Sequence, residues 1–432
     1  MRMVVVGGGL AGLAATCGLA DQGHEVTLVE RGRLLGGKAT SFTVEGVEVD
    51  NGQHVHLDCC TDYLDFVDAL GMSDQLWTQP RFQVTVLRRH APSSRLRATR
   101  GLPASLSLLP SFALYAPLGT AAKVQVARGL RAASGAAEPG ETFGSWLRRH
   151  GQGQAAIAGF WEIFVVPALN AGLDEVDAEA ALFVVRTALA GDPDAARIGW
   201  SRVPLARIAE AAGRRAHTVR MRTSVVSLVD DGVSVAGVRC ADGETISADA
   251  VVLAVPPARL ATILGDPAGY GLTGLDAFRT RAIVDVHLWF DAPCGPQEFA
   301  AVIGSPVQWV FQKQPGYLCC SLSAADGLVG RPESELVSLC HAELAAVWPE
   351  VASARLLRGA ATRDPEATFI PAPGLRRPGP ATSRPNLVVA GAWTATGWPA
   401  TMESAIRSGR AAARTLAVSA RAAAPRLEAV HG

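Results

Sequence analysis

The sequence predicts an α/β fold in which a domain built on a parallel sheet is assembled from separate stretches of chain, with an α+β domain inserted between them. Three observations predict it. The chain opens on a continuous β-branched run, Met3-Val4-Val5-Val6, as a parallel strand buried on both faces should be. A glycine-rich turn and a helical, small-residue stretch follow at once. Two later runs of the same apolar character, Ala248 to Val255 and Asn386 to Gly391, bring the chain back to that sheet, while the segments between them alternate as half-buried strands do.

A chain of 432 residues exceeds one compact core, so two domains are expected. Forty basic against forty acidic side chains exclude a dedicated nucleic-acid binder, which needs a basic surplus to displace counterions from phosphates. Only Lys38, Lys123 and Lys313 are lysines; the remaining basic residues are arginine. Mean hydropathy is high at +0.19, yet no stretch reaches the ~18 apolar residues of a spanning helix. Eight cysteines are too dilute for a disulfide scaffold, and none has zinc-ligand spacing. The first folded element starts at Arg2, leaving no room for a signal peptide, so the expected location is the cytoplasm, with any peripheral contact at the inner membrane face.

The first strand runs into Gly7-Gly8-Gly9-Leu10-Ala11-Gly12, a G-x-G-x-x-G turn that makes the first domain Rossmann-like. Gly7 permits the tight turn, Gly9 lets a pyrophosphate approach the backbone, and Gly12 allows close helix-to-strand packing. The helix N-terminus, with Leu10 and Ala11, then faces the phosphate charge. His24 to Glu30 reads as the second strand and ends in an acid 18 residues after Gly12. Glu30 is placed to accept hydrogen bonds from an adenosine ribose and disfavours a 2′-phosphate, hence NADP.

Arg31, Arg33, Gly36, Gly37 and Lys38 follow. A glycine pair after the ribose acid, then a cation, resembles the second phosphate-contacting loop of the FAD-dependent amine oxidase and phytoene desaturase superfamily. The cation there is more often arginine, and Arg31 and Arg33 stand one position earlier than usual. Next comes Asp50-Asn51-Gly52-Gln53-His54, after a hairpin whose turn is expected at Glu45-Gly46. On their own, Asp50 and Asn51 read equally as turn formers and His54 as a polar strand residue. The string resembles the hydroxysqualene dehydroxylase family, squalene-associated FAD enzymes of bacterial hopanoid synthesis. In the superfamily this segment runs past the flavin ring, which brings Gln53 and His54 to the cofactor.

The middle of the chain carries a helix from Asp62 to Leu70, strand-like pieces near Phe82 to Arg88, and a basic loop at Arg95 to Arg100. Leu102 to Leu118 is the most apolar stretch; its prolines 103, 110 and 117 exclude one long helix. It reads as core, as the lining of an apolar tunnel, or as a peripheral membrane contact aided by Arg95, Arg97 and Arg100. Trp161-Glu162, Pro167 and Ala168-Leu169-Asn170 resemble the family's substrate-domain segment. Val219 to Val229 and Val233 to Arg239 read as a hairpin around Asp230-Asp231-Gly232. By resemblance, the Val225 backbone touches the adenine. Ile283 to Phe290, Val307 to Phe311 and Tyr317 to Ser323 alternate as a second sheet.

Gly391, Ala392 and then Pro399-Ala400-Thr401-Met402-Glu403 precede a periodic run, a helix whose N-terminal N–H groups are expected to face the flavin. The match to the family is close from Gly391 to Gly409, except that the usual Asp after the glycine is Ala392. The expected division is an FAD-binding domain from 1–80, 205–270 and 380–420, an inserted substrate-binding domain from 81–204 and 271–379, and a tail at 421–432.

The resemblance implies FAD as cofactor and hydroxysqualene, a polyisoprenoid, as substrate, received from the synthases upstream. The implied reaction is reductive removal of the allylic hydroxyl to give squalene, with hydride passing from N5 of reduced FAD to an allylic cation. Such chemistry needs a proton donor. His54, whose ordinary pKa lies near ~6.5, is the first candidate, and Asp50 and Glu403 are the runners-up. Glu403 reads equally as an acceptor at its helix N-terminus, and His56 is a further candidate on the same face as His54. The alternatives are a carotenoid desaturase acting on the same lipid class, a flavin amine oxidase, and a flavin-poor prenyl-lipid carrier. An amine oxidase is expected to show an aromatic cage and a flavin-facing lysine, for which neither Lys123 nor Lys313 has a convincing context.

Overall fold

Alternation along the first strand sets the layers of the nucleotide domain. In the computed structural model, which describes every residue except 45, 104, 105, 190, 297 and 424–432, Met3 and Val5 point to one face of a parallel sheet and Val4 and Val6 to the other. The sheet runs Thr218–Arg220, Glu25–Val29, Arg2–Val6, Ala250–Leu253, Leu387–Val389, and every neighbouring pair is parallel. Helices Leu10–Asp21, Leu205–Gly213 and Met402–Ala423 cover the first face. A three-stranded antiparallel sheet, Val225–Asp230, Val235–Cys240 and Thr245–Ser247, and helix Pro257–Leu264 cover the second.

Small residues let the first and last helices touch. A Cβ at Gly409 would stand 2.1 Å from the Ala11 carbonyl oxygen, and one at Gly18 would stand 3.1 Å from the Ala413 methyl. This contact lays the last helix against the first and brings the Gly7–Gly12 turn and the turn before the last helix to one cavity.

The second sheet has seven strands, in the order Leu356–Phe369, Thr280–Phe290, Tyr317–Leu322, Trp309–Gln314, Phe299–Val302, Gln83–Arg88, Ala91–Arg97. It is antiparallel except between Phe299–Val302 and Gln83–Arg88. Val284, Val286 and Leu288 pack outward under helix Glu333–Ala345. Phe82, Val84, Phe299 and Phe311 pack under the helices Phe143–Arg149, Glu162–Leu169 and Ala178–Ala188.

Two readings change. Residues 95–97, expected in a basic loop, belong to edge strand Ala91–Arg97, because their alternation buries Ser94 and Leu96 and leaves Arg95 and Arg97 in solvent. The 219–229 strand divides: Thr218–Arg220 extends the parallel sheet, Arg222 turns the chain at φ 54°, and Val225–Asp230 forms the hairpin. In the 102–118 segment, Tyr115 and Leu118 are core, but Leu102, Leu106, Leu109 and Leu114 are exposed. The last helix runs to Ala423, and residues 424–432 of the expected tail lie outside the described residues, as does Glu45 of the expected turn. Among the described residues, no helix is long and apolar enough to cross a membrane.

Candidate active site

The two sheets meet over one cavity of about 1310 Å³, larger than the ~300–1,000 Å³ of a drug-sized site. Its nucleotide limb is lined by Gly7, Gly9, Glu30, Gly36, Gly37, Val225 and Arg259. Its other limb is lined by Phe82, Phe164, Phe183, Ile198, Trp309 and Phe311. The 51–54 segment and the 398–403 turn line the passage from one to the other.

The glycine motif is shaped for a diphosphate. Gly7 has φ 107°, and a Cβ on it would stand 2.3 Å from the Ala254 oxygen; a Cβ on Gly12 would stand 1.9 Å from the Gly7 oxygen. Both glycines are therefore required by the backbone itself. A Cβ on Gly9 would meet nothing closer than the Gly37 Cα at 3.9 Å and would project into the cavity. The first helix begins there without a side-chain cap, so the N-terminal amides of Leu10 and Ala11 face the same space. Glu30 closes the other end of the turn, its carboxylate accepting from the Gly8 and Gly32 amides at 2.7 and 2.6 Å. These features fit a dinucleotide cofactor.

Arg31 and Arg33 line the limb, and so does Lys38. Its ammonium reaches across to Asp364, 3.1 Å away, and to the Glu366 carbonyl. Arg259, which sequence reading missed, holds the Val225 carbonyl at 2.8 Å. Ala392 lines the cavity with its methyl in place of a carboxylate. Its carbonyl accepts from Arg377 at 2.7 Å and from the Ser404 hydroxyl at 3.1 Å. Arg377 also reaches Thr396 and the Trp393 carbonyl, and burial lowers its guanidinium to about 10. Thr401 caps the last helix by accepting from the Ser404 amide, and Pro399, Ala400 and Met402 stand with it on the cavity wall.

The candidate acids separate. Asp50 is a strut. It accepts from Ser41 at 2.7 Å and from the Leu205 amide at 3.0 Å, it pairs with Lys313 at 3.1 Å, and it is absent from the cavity wall. Glu403 lines the cavity, but both its oxygens are taken: they accept from the Asp62 and Tyr63 amides and from Arg407. The helix it caps is Thr61–Ala69, not its own. His54 lines the passage with its Nε2 3.2 Å from the Asn51 amide oxygen. The premise of an ordinary imidazole does not hold for it. Burial lowers its pKa, Lys313 adds to that, and Asp50 opposes it. What surface it keeps is presented to the cavity. His56 is buried against Thr78, and burial takes it to about 4.

Of two polar residues on the second sheet that reach this region, sequence reading gave Lys313 no convincing context and missed Asp285. Lys313 is held between Asp50 and the Gln53 side-chain oxygen, each at 3.1 Å. Asp285 projects from the middle of Thr280–Phe290 into the passage, where its carboxyl accepts from the Gln53 amide at 3.3 Å. A carboxylate interrupting the alternating run Ile283 to Phe290 was the available signal, since an acid on the buried side of a strand requires a reason.

The chain matches the model of the family described as flavin containing amine oxidoreductase over residues 10–417. It is 30% identical to a hydroxysqualene dehydroxylase of Rhodopseudomonas palustris, over 97% of this chain and 99% of that one. It is 29% identical to one of Sinorhizobium fredii, over 95% and 96%. A 15-cis-phytoene desaturase of Synechococcus elongatus is 24% identical over 96% of each. Among solved structures, cyclohexylamine oxidase of Brevibacterium oxydans superposes with a TM-score of 0.71 at 18% identity, over 97% of this chain and 99% of that one, which is a likeness of fold.

Proposed function

We propose that this chain, which belongs to the flavin containing amine oxidoreductase family and is an FAD-dependent oxidoreductase, removes the allylic hydroxyl of hydroxysqualene to give squalene. The observation that carries the reading is the continuity of the cavity. A limb shaped for a dinucleotide opens directly into a limb walled by Phe82, Phe164, Phe183, Ile198, Trp309 and Phe311. Such a wall accepts a polyisoprenoid and keeps water from an allylic cation.

Bound FAD supplies the reducing equivalents, as hydride from its reduced form. The residues do the rest. The Gly9 cradle and the first helix would hold the diphosphate, and Glu30 would take the ribose. Arg377 and Thr401 order the 398–403 turn, which would help hold the ring, and the aromatic limb would hold the carbinol carbon for reaction.

The exposed Leu102, Leu106, Leu109 and Leu114 support uptake of the lipid from a membrane surface. Helix Leu109–Ala113 lies beside the strand carrying Arg95 and Arg97, joined by Ser111 accepting from the Arg97 amide at 2.9 Å. Phe112 touches Phe160, and Phe160 touches Phe164 on the cavity wall, with ring centroids 5.7 and 5.4 Å apart. The synthases that make hydroxysqualene are the partners from which this surface receives it.

The test is to reduce the FAD-loaded protein anaerobically and add hydroxysqualene. Squalene should form with stoichiometric flavin reoxidation. Desaturation of phytoene by the oxidised protein, without dehydroxylation, would refute the reading.

A further inference from the structure

We infer that Asp285 is the acid that protonates the departing hydroxyl, because its carboxyl stands where the aromatic limb meets the 51–54 segment; this rests on the dehydroxylase reading above. Alternation along its strand places Asp285 on the opposite face from Val284 and Val286, which are buried under the outer helices. A Cβ on Gly52 would stand 2.5 Å from Asp285 Oδ2, so only glycine at 52 lets the carboxyl approach that backbone. The Gln53 amide donates to Oδ1 at 3.3 Å, and the Ser321 hydroxyl also bonds the group.

Asp285 is 3% exposed yet forms part of the cavity wall, so its residual surface is the cavity itself. Burial pushes its carboxyl up to about 7, and the opposing pulls of Ser321, the Gln53 amide and Lys313 fail to restore the usual carboxylate range. A buried carboxyl that keeps its proton near neutrality can donate it. His54 is displaced in the opposite direction and is a neutral imidazole at the same pH. The charged and titratable groups around Asp285 are Lys313 from the strand beyond its paired strand, Asp50 and His54 from the nucleotide side, His287 on its own strand, and Tyr317, Cys319 and Cys320 on the paired strand. The strand on its other edge contributes Arg358, which acts on His287.

The step balances as R–OH + 2 electrons + 2 protons → R–H + water. The Asp285 O–H bond breaks and its proton goes to the carbinol oxygen. The C–O bond then breaks with its electron pair on oxygen, and water leaves. The allylic carbon is reduced by the two electrons and one hydrogen of a reduced flavin, which is oxidised, and Asp285 recovers a proton from solvent before the next turnover.

The test follows single turnovers of the reduced FAD-bound protein with hydroxysqualene across a pH series. The wild-type rate should be level below about pH 7 and fall about tenfold per unit above it, since the protonated form is the competent one. Asp285→Asn should lose about 10²-fold or more and its alkaline limb, Asp285→Glu should recover part of both, and His54→Gln should keep the limb. In the infrared, the carbonyl band of a protonated carboxyl should titrate near pH 7 and be missing from Asp285→Asn. A rate for Asp285→Asn within about threefold of wild type, or a limb that moves with His54→Gln, overturns the assignment while leaving the dehydroxylase reading standing. If wild-type protein forms no squalene, that reading fails and the assignment with it. Should Asp285→Asn not retain flavin, the wild-type profile decides, and a flat one overturns the proposal.

Discussion

The Lys313 ammonium lies 3.1 Å from Asp50 Oδ2, an ion pair between the second sheet and the hairpin of the nucleotide domain, 263 residues apart in the chain. Asp50 turns its other oxygen to Ser41 and to the first amide of helix Leu205–Gly213. Both partners are largely buried, so removing one leaves a charge uncompensated. Lys313→Met should destabilise the protein by about 3 kcal/mol, and adding Asp50→Asn should recover most of it. Urea unfolding of the FAD-loaded variants checks this; equal loss in the single and double variants would show that the pair is not coupled.

Gly9 and Gly12 should separate binding from folding. Gly9→Ala adds a methyl to open cavity and should fold normally while binding FAD about tenfold or more weakly. Gly12→Ala adds one 1.9 Å from a backbone oxygen and should lose soluble protein. Flavin titration and circular dichroism distinguish the two. A Gly9→Ala protein with unchanged FAD affinity would contradict the cradle.

Glu403 accepts the Asp62 and Tyr63 amides from 1% exposure. Glu403→Ala leaves two buried donors unpaired and should cost about 2 kcal/mol, while Glu403→Gln keeps an acceptor and should retain most stability and turnover. Turnover abolished in a stably folded Glu403→Gln would return this residue to the chemistry.

His56 and His287 make acid destabilising. Burial lowers each from 6.5 to about 4, so between those values the unfolded chain binds more protons than the folded one. Their contribution is fully present above about pH 6.5 and is lost as pH falls towards 4, up to about 3 kcal/mol each. Asp285 works the other way: with its pKa raised from 3.8 to about 7, its contribution is lost as pH rises through that window. Melting temperature against pH for wild type and for His56→Gln/His287→Gln isolates the histidine part. The double variant should have the flatter acid limb.

Leu109 and Leu114 are 57% and 85% exposed. If that face meets lipid, Leu109→Ser/Leu114→Ser should weaken binding to anionic phosphatidylglycerol vesicles at least about tenfold, and salt should weaken the wild type. Co-sedimentation reads both effects, and wild-type protein left wholly in the supernatant would remove the membrane contact.

The nucleotide half was legible in the chain because its determinants are contiguous. A β-branched run, three glycines at fixed spacing and an acid at the end of the next strand state a turn, a helix and a ribose site within 30 residues. The parallel sheet and the second sheet were readable for the same reason, since alternation is a local pattern. Where hydrophobic period and charge conflicted, as in the arginines of Ala91–Arg97, partner strands decided the outcome.

The acids were not legible, because a carboxyl's role depends on what surrounds it. By sequence, Asp50, Glu403 and His54 were the candidates, and Asp285 was one charge in an apolar strand. Folding placed Asp50 against Lys313 and Glu403 on the Asp62 and Tyr63 amides, 341 and 340 residues away, and brought Asp285 to the Gln53 amide across 232 residues. Spacing alone predicted a dinucleotide cradle, while the apolar, lipid-sized space beside it was implied only by the family resemblance and took its form in the tertiary structure. Which group in that space keeps a proton was decided only by burial and by neighbours that meet in the tertiary structure, since those set the cost of charge.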